Sequence, residues 1–202
     1  EFTFHVVTRT GRSCLRSPRE ARPAAGTVRL VVDPHSRAVA AIEALHASDH
    51  GIVLAVTGGG ASAITDLLSV PGASRTVLEI SVPYAEASLA DLLGEPPGQA
   101  VSVDTARAMA SACLRRAVSL AQREQFDGPL AGVACTAAIV SDRPKRGEHR
   151  AHVAVATAPG VATYSITLDK GARDRTGEDR VVAAAILRAV ASWAGIAAPL
   201  PV

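Results

Sequence analysis

Residues 51–57 read GIVLAVT, an apolar run with no alternation that closes on a hydroxyl. A strand of this kind has two greasy faces, so it belongs inside a sheet that is covered above and below. The run PLAGVACTAAIV at 129–140 has the same character. Only 3% of the residues are aromatic, whereas 48% are hydrophobic. The core must then be built from Ala, Val, Leu and Ile, which favours helices packed closely on a sheet.

The remaining segments supply that cover. SRAVAAIEALHAS (36–48) has helical apolar spacing and stops before DHG. ASAITDLLSV (61–70) is a short helix stopped by PGAS, RTVLEISVPY (75–84) a strand, and AEASLADLLG (85–94) a helix ending on Gly94. VDTARAMASACLRRAVSLAQREQ (103–125) is a long amphipathic helix, with Asp104 expected as its N-cap. RAHVAVATAPGVATYSITLD (150–169) predicts a hairpin around APG, and GEDRVVAAAILRAVASWAGI (177–196) the closing helix. Strands alternate with helices and a hairpin follows. The fold class is therefore α/β, a single-domain mixed β-sheet with helices on both faces.

Residues 1–26 differ in composition, being rich in Arg, Ser and Pro. They read as a flexible or non-native N-terminal arm, in which FTFHVVTR could pair as an edge strand. The domain proper is taken as 27–202, opening on TVRLVVDP as a short strand or entry segment. The net charge of +2 is too mild to argue for nucleic acid. Cys14, Cys113 and Cys135 have no paired or metal-like spacing, which points to a reduced, cytoplasmic setting. No apolar run reaches the roughly 18 residues of a membrane span, and no secretory signal is recognisable.

Two polar features stand out. In AVTGGGAS, Gly58, Gly59 and Gly60 join a buried strand to a helix. Glycines there permit close backbone approach, and the helix start offers free N–H groups and a positive dipole end. Together these suit a phosphate or carboxylate, with Thr57 and Ser62 adding hydroxyls. The motif is neither a Walker A loop nor G-x-G-x-x-G. A tight turn with no ligand is the alternative. The second feature, SDRPKRGEHR (141–150), follows a buried strand that would deliver it to the same sheet edge. Arg143, Lys145 and Arg146 could bind an anion there, or the loop could simply be solvated. His149 and His152 lack the partners of a metal site, so no metal and no cofactor is expected. Cys135 reads as an inert core thiol. Glu178 and Asp179 fit the acidic first turn of the last helix.

The order of VTGGGASAITDLLSVPGASRTVLE, YAEASLADLLG, a long helix, a strand with a threonine, a polar loop and a hairpin resembles the CinA C-terminal domain family, over roughly residues 35–195. That family includes nicotinamide mononucleotide deamidases. Its amidases typically read ESCTGG, YSNxxKxxLLG and TGIAGP, with a serine nucleophile activated by the lysine. Here Thr57, Gly58, Gly59, Tyr84, Gly94 and Thr136 match, and Arg180 best matches a family arginine in a GDR segment. The serine position falls on Ala55 and the lysine position on Leu89. Neither side chain can attack or carry a proton. The resemblance implies a pocket for a nucleotide or other phosphorylated small molecule, without Ser–Lys amidase activity. Two other readings stay open: an amidohydrolase acting on nicotinamide mononucleotide through displaced residues, and an oligomeric interaction module. A homo-oligomer is expected, and no membrane partner.

Overall fold

The computed structural model describes residues 5–6, 34–143 and 146–196. Most of the arm, the TVRLVVDP segment up to Asp33 and Lys145 lie outside the described residues. Next to the edge strand of the sheet, β2 (Gly51–Thr57) runs parallel to β3 (Val77–Ser81) on one side and to β4 (Leu130–Ala138) on the other. The hairpin of β5 (His149–Thr157) and β6 (Gly160–Leu168) continues the sheet in antiparallel fashion. A two-residue strand β1, His5–Val6, pairs with Ser165 and Tyr164 at the edge, so part of the N-terminal segment does pair. The order is β1-β6-β5-β4-β2-β3, a mixed sheet as the alternation of segments predicts.

Helices cover both faces. Ile52, Leu54 and Val56 of β2 point one way, toward the core shared with α1 (Pro34–His46), α2 (Ser62–Ser69) and α5 (Arg175–Trp193). Val53 and Ala55 point the other way, toward α3 (Glu86–Leu93) and α4 (Val103–Glu124). Strand alternation sorts the side chains this way. The second face is built largely of alanine: Ala134, Ala154 and Ala156 meet Ala106, Ala110 and Ala117 of α4. Small residues on both partners let the helix lie almost on the sheet backbone. Gly132 marks the closest point, where an added Cβ would overlap the Ala110 carbonyl and the Leu114 amide.

The N-terminus of α4 corrects one expectation. Its N-cap is Ser102, in extended conformation, whose hydroxyl accepts from the Thr105 N–H at 3.1 Å. Asp104 stands inside the first turn instead. There its carboxylate complements the positive end of the helix dipole without capping. No helix of the described residues is long and apolar enough to cross a membrane.

Candidate functional site

The glycine turn follows β2 directly. Gly58 and Gly60 have φ of 81° and 89°, values that side-chain-bearing residues rarely adopt. A Cβ at Gly58 would strike the Ala137 carbonyl of β4, and one at Gly60 would press on Ile186 and Val182 of α5. The turn is thus wedged between a strand and a helix, and the N–H groups from Gly60 onward are already in use. The amides of Gly60, Ala61 and Ser62 donate to the Asp179 carboxylate at 2.6, 3.0 and 3.0 Å, and the Ser62 hydroxyl donates to it as well. This is an anion site with a built-in anion. A ligand phosphate could use these donors only by displacing Asp179.

Asp179 comes from the first turns of α5, yet it serves α2. The N-cap of α5 is Asp174, whose side chain accepts from the Gly177 N–H at 2.7 Å. The acidic pair expected to support its own helix does so only loosely, because both carboxylates turn to other elements. Partial burial pushes the Asp179 carboxyl up, but the Ser62 hydroxyl and the three amides outweigh it and hold the group below the usual carboxylate value. Since the folded value lies below the unfolded one of about 3.9, its contribution is complete above that pH and is lost as pH falls through the folded value. Asp179→Asn should therefore lower stability at neutral pH by about 1–2 kcal/mol, the group being partly exposed. It should also flatten the acid limb of a stability-versus-pH curve measured by denaturant unfolding. An unchanged acid limb would show that the carboxylate does not serve this purpose.

Glu178 faces inward and is fully buried. One oxygen accepts from His149 Nδ1 at 2.8 Å and the other from the Val140 N–H at 2.7 Å. One side chain on α5 thereby ties together the end of β4 and the start of β5. Arg175 adds a bond to the Val140 carbonyl at 2.5 Å and one to the Tyr84 hydroxyl at 3.3 Å. The first turns of α5 therefore fasten α2, β4, β5 and the Tyr84 segment around the C-terminal edge of the parallel strands.

The remaining expected site residues divide clearly. Thr57 and Thr136 are register partners across β2 and β4, and Thr136 is buried with its hydroxyl donating to the Ala100 carbonyl at 2.6 Å. Tyr84 is 66% exposed. Arg143 projects into solvent, 90% exposed, with Asp142 beside it at 3.9 Å, and Arg146 and Arg180 are exposed as well. Both loop arginines thus face solvent. Ala55 and Leu89 are both buried, in one apolar cluster with Ala106 and Met109. Cys135 is buried and its thiol is pushed well up by burial; Cys113, also buried, is pushed up to about 12 by burial and the Glu79 charge, with Arg115 opposing. Both are unreactive core thiols.

Sequence reasoning missed a polar row that the register assembles. Thr57 pairs with Thr136, Thr136 with His152, and His152 with Ser165, so all four share the α3/α4 face of the sheet. Arg150 and Thr167 form the next pair outward. The signal was present: Arg150 and His152 stand two apart in β5, as do Thr163, Ser165 and Thr167 in β6. Apolar neighbours in between would have shown that these polar residues share one face.

No family model and no curated protein matches the chain. Solved structures do. A competence/damage inducible protein from Agrobacterium tumefaciens superposes with a TM-score of 0.60 at 20% identity, over 81% of this chain and 94% of that one. A competence-damaged protein (CinA) superfamily protein from Escherichia coli gives 0.59 at 17% identity, over 80% and 89%. One from Enterobacter cloacae gives 0.58 at 14%, over 87% and 98%. The sheet order, the two helical layers and these superpositions together establish a CinA-like α/β fold for this chain.

Proposed function

We propose that this chain is a binding domain of the CinA type that holds a phosphorylated small molecule, a nucleotide among the candidates, without Ser–Lys amidase chemistry. The observation that carries this reading is the burial of Ala55 and Leu89 in one apolar cluster. These are the positions where the resemblance puts nucleophile and base. Each is filled by a side chain that packs, and neither can take part in proton transfer. Thr57 closes β2 at the edge where open α/β sheets hold ligands, and Thr136 stands beside it in β4. In this reading Gly58, Gly59, Gly60 and Ser62 do not hold the phosphate, since Asp179 already satisfies the amides it would need. The free thiols at Cys113 and Cys135 fit a reducing, cytoplasmic setting.

Nicotinamide mononucleotide is the first probe. Thermal unfolding with and without it should show stabilisation, by about 2.7 kcal/mol at a hundredfold excess over Kd. Ammonia release measured in parallel should stay at the uncatalysed rate. Turnover that Thr57→Ala or Tyr84→Phe abolishes, with the fold intact, would overturn the reading and favour an amidohydrolase with a rebuilt site. Neither stabilisation nor turnover would remove this nucleotide as a ligand.

A further inference from the structure

An open groove of about 400 Å³ lies on the α3/α4 side of the hairpin, away from the glycine turn. Its floor is the outer part of the polar row: Arg150, His152, Ser165 and Thr167. The start of α4, Ser102 and Val103, forms the opposite wall, and Glu148 stands at the rim. The sequence reading of the polar loop stopped at Arg143, Lys145 and Arg146, because the four floor residues come from two strands and meet only through the β5–β6 register.

The guanidinium of Arg150 is incompletely used. One Nη donates to the Val101 carbonyl at 3.2 Å, which fixes the head group against the α4 approach. Its Nε is buried and has no partner. Arg150 lines the groove with one Nη spent on a carbonyl, and its other Nη–H donors suit an oxyanion there. Next to it, His152 Nδ1 and the Ser165 hydroxyl share a hydrogen bond of 2.9 Å. Burial, then the Arg150 charge, hold His152 below its ordinary value, so the imidazole is neutral at pH 7 and leaves Arg150 as the cation of the floor. Ser102 and Thr167 bring hydroxyls, and Glu148 an acceptor for ligand hydroxyls that also opposes a polyanion. Among the described residues no aromatic ring other than the His152 imidazole lines the groove, so a planar base has no stacking platform there.

We infer that this groove binds a phosphorylated sugar or polyol, with the phosphate on Arg150 and the hydroxyls toward Glu148, Ser102 and Thr167. The inference rests on the reading of the domain as a binder of phosphorylated small molecules and says where the phosphate sits. It covers a free sugar phosphate and the phosphoribosyl part of a mononucleotide alike.

Calorimetric titration of the wild-type chain with ribose 5-phosphate, ribose, inorganic phosphate and nicotinamide mononucleotide tests it. Ribose 5-phosphate should bind at least tenfold more tightly than either ribose or phosphate. Arg150→Gln should weaken that binding at least tenfold. Thr167→Glu, which places a carboxylate directly across the strand pair from Arg150, should do the same by neutralising the guanidinium and repelling the phosphate, and it decides the matter if Arg150→Gln unfolds. The His152 ring resonances should move on titration in the wild type. Ribose 5-phosphate affinity unchanged in both variants overturns the groove. So does phosphate binding as tightly as ribose 5-phosphate. Mononucleotide binding that survives both variants overturns the groove alone and leaves the binding reading standing. Absence of binding by all four probes overturns both.

Discussion

Glu178→Ala is expected to lower stability by about 3–5 kcal/mol, since it leaves a buried imidazole nitrogen and a backbone N–H without their shared acceptor. For a chain of this size that corresponds to a fall in Tm on the order of 10 °C. The effect is large because Glu178 is fully buried, so water cannot replace the lost acceptor. Glu178→Gln keeps an amide oxygen in place and should cost clearly less, which separates the hydrogen-bonding role from the charge. Amide hydrogen exchange at Val140 gives a local readout. Protection there should collapse in the alanine variant, and protection unchanged from wild type would show that the carboxylate does not hold the β4 end.

Gly132→Ala is expected to destabilise by about 3 kcal/mol, at the upper end of what overpacking costs. The new methyl would meet the Ala110 carbonyl and the Leu114 amide, both main-chain groups of α4 that cannot turn aside as a side chain would. The helix would have to lift from β4 and open the alanine-lined seam along its length. Gly98→Ala is the matched control, because a Cβ there meets nothing within 4 Å. It should lie within about 0.5 kcal/mol of wild type. Denaturant unfolding of the three chains checks both expectations, and equal midpoints would mean that α4 is not seated on Gly132 as described.

The two experiments concern residues of different legibility. Alanine-rich segments at 103–125 and 129–140 announce close packing of a helix on a strand, but nothing in the chain says that Gly132 is where the backbones touch. That depends on the crossing of α4 over β4. The N-cap of α4 was misplaced by two residues because Ser102 and Asp104 are both good capping types, and only the backbone turn at Ser102 decides between them. The glycine turn was read correctly as a helix start whose amides have no partner within the helix. What could not be read was that Asp179, 117 residues after Ser62, would fill it. Likewise Arg143 and Arg146 looked like a phosphate clamp by composition, whereas Arg143 projects into solvent beside Asp142. Arg150, four residues further on, has its guanidinium drawn onto the Val101 carbonyl beside the groove.

By itself the sequence determined the alternation of strands and helices, the double cover of β2 and β4, the closing hairpin, and the presence of Ala55 and Leu89 where the resemblance places serine and lysine. These follow from period, hydrophobicity and side-chain type, which are properties of short stretches of chain. Only the tertiary structure decided which carboxylate meets which amide, where α4 rests, and that Thr57, Thr136, His152 and Ser165 stand in one row. Hydrogen-bonding partners are chosen by the sheet order that brings β2, β4, β5 and β6 side by side. That order is set by how the whole chain buries its apolar surface.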